Sequence, residues 1–210
     1  MRYLIMGTGA LGTVFGGLLR RTGQVVDFIG RGRHFEVLRQ QGLTIDGIWG
    51  QVQLGPVSIP PADSTLKQPY DIILLCVKSF DTAAACRQLR PWLAPQGLVI
   101  SIQNGLGNLE IITQECGPAA AVGARVIFGA RISRPGLASV TVYADKVLLG
   151  GESGANQSPK LHQVAAHLNE AGIPSAVVEN ILTHIWEKVL YNCALNPLGA
   201  ILGVTYGDLV

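Results

Sequence analysis

The chain has 210 residues, 48% of them hydrophobic and only 14% charged, and its 16 basic against 14 acidic residues leave a formal net charge of +2. This composition supports a sizeable buried core and excludes disorder as the dominant state, and no basic block is long enough to form the electrostatic footprint of a nucleic-acid binder. Cys76, Cys86, Cys116 and Cys193 form no C-x-x-C pair and no cysteine–histidine cluster at ligand spacing, so no metal is expected, and reduced thiols in a cytoplasmic protein are the simpler reading. The uncharged run after Arg2 superficially resembles a secretory signal. Arg20-Arg21 close it without a small-residue cleavage site, and its five glycines do not suit a membrane span.

In chain order, the first half alternates short β-prone runs with stretches of helical period, the pattern of a parallel sheet flanked by helices. Residues 3–6 predict a strand, 7–12 a turn and helix start, 11–22 a helix ended by Gly23, and 25–29 a second strand. A helix over 35–41 closed by Gly42 follows, then one or two exposed strands within 43–59 and a loop over 60–69. "DIILLCV" at 71–77 has the unbroken apolar character of a buried parallel strand, and 81–93 has a helical period. "LVISIQ" at 98–103 is another strand, running into the glycine-rich turn "NGLGN". Strands are expected at 121–133 and 137–149 around Pro135-Gly136, then a surface loop over 150–158. A helix over 159–171 stopped by Gly172 and a last strand at 175–178 complete this part. From Asn180 the pattern is helical only, so the boundary is set at 178: an α/β, Rossmann-type N-terminal domain over 1–178, then the first part of a helical C-terminal domain over 179–210.

Gly7-Thr8-Gly9-Ala10-Leu11-Gly12 matches G-x-G-x-x-G where the mechanism needs it, directly after a strand and opening a helix. The first glycine allows the tight turn, the second lets a pyrophosphate approach the backbone, and the third packs helix on strand, while the helix N-terminus favours the phosphate charge. At the tip of the second strand an NAD site places a carboxylate; here "GRGRH" offers Arg31 and Arg33 instead, which favours the 2′-phosphate of NADPH, with Arg31 the closer contact. Lys78 and Asn104 stand just past successive strands, where ligands bind in an open α/β sheet, although either could equally cap the next helix.

Lys188, Asn192 and Asn196 fall four apart in the apolar run "EKVLYNCALNPLGAI", one polar stripe on one helix. The stripe is either that helix's solvent face or the second wall of a dinucleotide cleft, with Lys188 as proton donor and the two amides on the substrate. His184 and Glu187 are assigned to the flank, and Pro197 is expected to kink or break the helix.

Taken in order, the glycine turn, Arg31, Val77-Lys78, Asn104-Gly105 and "KVLYNCALNPL" resemble the ketopantoate reductase (2-dehydropantoate 2-reductase) family across essentially the whole chain. The resemblance implies NADPH-dependent reduction of ketopantoate to pantoate, a step toward pantothenate and coenzyme A. It implies that Gly7, Thr8, Gly9, Ala10, Leu11 and Gly12 cradle the pyrophosphate, that Arg31 meets the 2′-phosphate, and that Lys78, Asn104 and Ala130 contact the cofactor. It further implies Lys188 as catalytic acid, with Lys188, Asn192, Asn196 and Asn104 on the substrate. Family members are longer, so the helical domain is expected to be truncated here, without the serine and glutamate its later part supplies. Tyr206 stands where a compared member has another polar substrate contact. The implied partner is a small 2-keto acid, with no nucleic acid, no membrane and no metal, and a homodimer is left open. A reductase of another 2-keto acid and a non-catalytic NADP(H)-binding protein remain as alternatives.

Overall fold

The structure is a computed structural model that describes residues 1–60, 69–151 and 158–209, apart from the side chain of Tyr206. The loops expected over 60–69 and 150–158 therefore lie largely outside the described residues, as does the Tyr206 contact.

The chain opens with β1 (Arg2–Met6), α1 (Ala10–Arg21), β2 (Val25–Ile29), α2 (Gly32–Gln41), β3 (Leu43–Gly47) and β4 (Val52–Leu54). It continues with β5 (Tyr70–Leu75), α3 (Thr82–Leu89), β6 (Leu93–Ser101), α4 (Asn108–Cys116), β7 (Ala121–Arg134) and β8 (Leu137–Gly151). α5 (Pro159–Glu170), β9 (Ser175–Val177) and α6 (Ile181–Leu202) complete it. Among the described residues these make one nine-stranded sheet in the order β2-β1-β5-β6-β7-β8-β3-β4, with β9 added beside β8. β2, β1, β5, β6 and β7 pair in parallel, as the βαβ pattern requires.

The sheet is not purely parallel. Only Pro135 and Gly136 separate β7 from β8, and Gly136 takes φ 85°, so the chain folds straight back and the two long strands pair antiparallel. β8 then receives β3 in parallel at its start and β9 in parallel near its end.

α1 touches β1, β2, β3, β4, β7 and β8, so the sheet curls around it. That explains three glycines in one helix, each costing about 1 kcal/mol of helix propensity. A Cβ on Gly16 would stand 2.4 Å from the Phe28 ring, and one on Gly17 would stand 2.7 Å from Ile45 Cδ1. Close approach at α1 also corrects the expectation of exposed strands within 43–59: Leu43 and Ile45 are each 1% exposed, sealed beneath that helix.

Other boundaries move for local reasons. α2 begins at Gly32 rather than residue 35. β5 ends at Leu75, two residues before the apolar run does. The helix expected over 81–93 becomes a 3-10 turn (Ser79–Asp81), α3 and a second 3-10 turn (Arg90–Trp92), because Pro91 has no N–H to continue the ladder. Leu93 already belongs to β6. α6 runs unbroken through Pro197, so the helix does not break there. The carbonyl that this proline leaves without a helical donor belongs to the exposed Cys193. Asn180 starts α6 by accepting the Thr183 N–H at 3.3 Å, a cap that the sequence reading passed over.

A Cβ at Gly12 would stand 2.0 Å from the Gly7 carbonyl oxygen, a backbone atom that cannot swing aside. Gly12→Ala is expected to lower unfolding free energy by about 3 kcal/mol in chemical denaturation; an unchanged midpoint would refute this contact.

Candidate functional site

The turn after β1 threads between the ends of β2 and β5. Gly7 takes φ 109° and donates its N–H to the Ile29 carbonyl at 2.9 Å, and a Cβ there would lie 2.8 Å from the Cys76 carbonyl carbon. Gly9 behaves differently: no atom lies within 4 Å of where its Cβ would be. Gly12 supplies the close helix packing described above. Ala10 and Leu11 begin α1 behind this turn. Gly7, Thr8, Gly9, Arg31, Lys78 and Asp81 line a cleft of about 620 Å³ at the carboxyl ends of the strands, the position at which open α/β sheets take ligands. Gly30 belongs to the same construction, since a Cβ there would meet the Thr8 hydroxyl at 1.8 Å.

Arg31 precedes α2 in extended conformation with its side chain 84% exposed. It pairs with Asp81 at 3.0 Å, linking the β2 and β5 ends of the cleft. Exposed pairs of this kind contribute about 0–1 kcal/mol, so the guanidinium can exchange partners easily. Arg33 is exposed and does not line the cleft. His34, which the motif reading overlooked, lines the cleft and ties α2 in place. Its Nδ1 accepts the Gly136 N–H at 3.1 Å, which leaves Nε2 to donate to Thr13 Oγ1 at 3.0 Å. Burial lowers its pKa, in keeping with this neutral tautomer.

The loops after β5 and β6 are joined by a polar lattice. Gln103 donates to the Val77 carbonyl at 2.9 Å and the Thr82 hydroxyl at 2.8 Å. Thr82 donates to Asn108 Oδ1 at 3.0 Å, while the Asn108 amide donates to the Asn104 carbonyl at 3.1 Å and Ser79 Oγ at 3.3 Å. Thr82 and Asn108 are buried, so each lost bond would leave a costly unpaired group. Lys78 and Asn104 thus stand on loops that brace one another.

Lys188 reaches this second loop from α6. Its ammonium donates to Asn104 Oδ1 at 2.7 Å and to the Val126 carbonyl. Val126 lies where the β7–β8 register shifts between Arg125 and Ile127, an irregularity of the kind that re-aims backbone groups near sites. Burial, then the neighbouring Arg125, lowers the Lys188 pKa from the ordinary 10.5 to about 8. Arg125 is only 8% exposed and is held by Asp145 at 2.6 Å.

The predicted residues therefore gather in two groups. Gly7, Thr8, Gly9, Arg31 and Lys78 line the cleft, whereas Lys188 and Asn104 form a pair joined to it through the Ser79–Asn104 bond at 3.2 Å. Asn192 is half-buried and Asn196 exposed farther along α6, and neither lines the cleft. Ala130 lies in β7 opposite Val140, two residues before the cleft-lining Ile132. His184 and Glu187 pair with each other at 3.0 Å on the flank of α6. Among the described residues, no group of three His, Cys, Asp or Glu side chains could hold a metal, and no helix is long and apolar enough to cross a membrane.

Residues 3–151 match the family model "Ketopantoate reductase PanE/ApbA", and residues 180–210 match "Ketopantoate reductase PanE/ApbA C terminal". The chain is 34% identical over 209 residues to 2-dehydropantoate 2-reductase of Aquifex aeolicus, covering 100% of this chain and 66% of that protein. It is likewise 34% identical over 211 residues to the enzyme of the same name from Pyrococcus horikoshii, again covering 66% of it. The crystal structure of 2-dehydropantoate 2-reductase from Geobacter metallireducens GS-15 superposes with a TM-score of 0.84 at 28% identity, over 97% of this chain and 66% of that one. The chain thus spans about two thirds of the length of the relatives it matches.

A lysine whose folded pKa lies near 8 rather than 10.5 is penalised while charged. Below about 8 the penalty is complete; between 8 and 10.5 the unfolded chain binds the extra proton and stability recovers as pH rises. Lys188→Met is therefore expected to raise the melting temperature at pH 7, by an amount that shrinks towards pH 10. A gain that does not vary with pH would contradict a desolvated ammonium.

Proposed function

The chain belongs to the ketopantoate reductase family, and from that membership we propose that it acts as a cytoplasmic NADPH-dependent reductase of 2-dehydropantoate, yielding pantoate on the route to pantothenate and coenzyme A. The observation that carries this reading is the Lys188 ammonium held on Asn104 at 2.7 Å beside the ends of β5 and β6. Residues 1–178 serve as the cofactor domain and 179–210 as the first part of the substrate domain.

The residues present fit a phosphorylated dinucleotide. The backbone from Gly7 to Gly12 suits the pyrophosphate because Gly9 leaves open the space that a side chain would take. Arg31 meets the 2′-phosphate by exchanging Asp81 for it, and Lys78, Asn104 and Ala130 contact the rest of the cofactor. When bound, the nicotinamide supplies a hydride to the 2-keto carbon. Charge then develops on the former carbonyl oxygen. Lys188 stabilises it from Nζ and transfers its proton there, with Asn104 and Val126 fixing the direction of that atom. Asn192 and Asn196 hold the substrate's polar groups from later turns of the same helix.

A pKa of about 8 keeps Lys188 protonated at neutral pH while making it a better acid than an exposed lysine. NADPH oxidation by the protein, assayed with a panel of 2-keto acids, should be fastest with 2-dehydropantoate and should fall as pH rises through about 8. Lys188→Ala should lower kcat about a hundredfold or more, and turnover indifferent to that change would remove Lys188 from the reaction.

Cofactor choice is tested separately by calorimetric titration. Arg31→Ala should weaken NADPH binding about tenfold, roughly 1.4 kcal/mol, with little effect on NADH. Equal losses for both would contradict the 2′-phosphate assignment.

A further inference from the structure

α3 and α4 pack side by side, and each follows a loop of the cleft: α3 the turn with Lys78 and Asp81, α4 the turn after Asn104. Between them Cys86 and Cys116 share one apolar cluster, close enough for each thiol to alter the other's ionisation. One residue along from each cysteine, Arg87 and Glu115 close the same helix pair with an ion pair at 2.8 Å. Cys86 is fully buried in the apolar cluster beneath the helices. Cys116 is the last residue of α4 and only half-buried. Neither lines the cleft, and nothing in the proposed reduction uses them.

We propose that Cys86 and Cys116 form an oxidisable dithiol, which a hydroperoxide converts into an intramolecular disulfide between α3 and α4. The other cysteines lack this arrangement. Cys76 is turned to the Leu74 carbonyl at 3.4 Å, and burial pushes its thiol well above the ordinary range. Cys193 is exposed on α6.

The two thiols take different parts. The proximity of Cys86, aided by Arg90, lowers the Cys116 pKa against the opposing effects of burial and Glu115; the proximity of Cys116, with burial, raises that of Cys86. Cys116, half-buried at the end of α4 where a peroxide can reach it, is therefore the attacking thiolate, and the fully buried Cys86 is the resolving thiol. Cys116 sulfur bonds to one peroxide oxygen as the O–O bond breaks; the other oxygen leaves, protonated, as an alcohol or water, giving a sulfenic acid. Cys86 sulfur then attacks Cys116 sulfur. The S–S bond forms, the S–O bond breaks, and the Cys86 proton leaves with the hydroxide as water. Two thiols lose two electrons, and the peroxide gains them.

The test exposes the reduced chain to hydrogen peroxide, blocks remaining thiols with an alkylating agent and maps the peptides by mass spectrometry. The expected product is a Cys86–Cys116 disulfide, reversed by dithiothreitol and formed equally in Cys193→Ser. In Cys86→Ala, shown to be folded by circular dichroism, the disulfide should be lost and Cys116 should be captured by dimedone as sulfenic acid. The unsubstituted chain decides the matter even if that variant does not fold. Free Cys116 at peroxide levels that oxidise Cys193, or Cys116 accumulating as sulfinic acid without the disulfide, would overturn the proposal.

Discussion

The approach of α1 to the turn in front of it governs the rest of the molecule. Gly12 packs against the Gly7 carbonyl so closely that no side chain fits between them, and Gly7 in turn abuts the backbone at Cys76. One glycine turn therefore sets the spacing between the first helix and the ends of β1, β2 and β5. Gly16 and Gly17 continue the same close approach along α1, allowing Phe28 on one strand and Leu43 and Ile45 on another to close over it. A helix with three such glycines is poor in isolation, and it is stabilised by the curled sheet that surrounds it.

That packing creates a cleft with two unlike sides. The glycine side is shaped by backbone and leaves room for a ligand at Gly9. The side after β5 and β6 is instead built from side chains: Gln103, Thr82, Asn108 and Ser79 are satisfied chiefly by one another and by nearby carbonyls. A lattice of this type holds loop residues with the precision of a strand, because any displacement unpairs a buried donor or acceptor. It carries Asn104, and through Asn104 it reaches Lys188.

Legibility in the sequence followed how local each cause was. The turn at Gly7 to Gly12 and the strand at 25–29 stand where periodicity and glycine spacing put them, since both depend on short-range sterics. The burial of β3 was not legible, because Leu43 and Ile45 look like half of an exposed ribbon until α1 is placed above them. The antiparallel β7–β8 pair was legible as two strands and a turn, but not as the break in a parallel sheet. The assigned contacts fared unevenly. Arg31 and Lys78 line the cleft, yet the Arg31 partner Asp81 lies fifty positions away in sequence and gave no local signal. Asn108, His34 and Arg125 escaped notice because such polar residues declare themselves by their partners, most of which lie far away in the sequence.

The polar stripe on α6 illustrates how a long-range contact resolves an ambiguity that periodicity leaves open. Most of this helix is exposed, with Leu190 at 65% and Ile201 at 80%, so its hydrophobic residues do not define a buried face. What locates the helix is its first two turns. Ile181 and Ile185 sit over Gly123, where an added Cβ would already touch both side chains at 3.2 to 3.4 Å. A larger residue at 123 would hold α6 away from β7. With glycine there, the next turn brings Lys188 down to the Val126 carbonyl, at the irregularity in the same strand, and across to Asn104. The lysine is desolvated because the helix has closed onto the strand, and that closure is what lowers its pKa. Asn192 and Asn196 share its stripe but lie beyond the turns that Gly123 draws in, which is why the first polar residue of the stripe is committed to the sheet while the last remains at the surface.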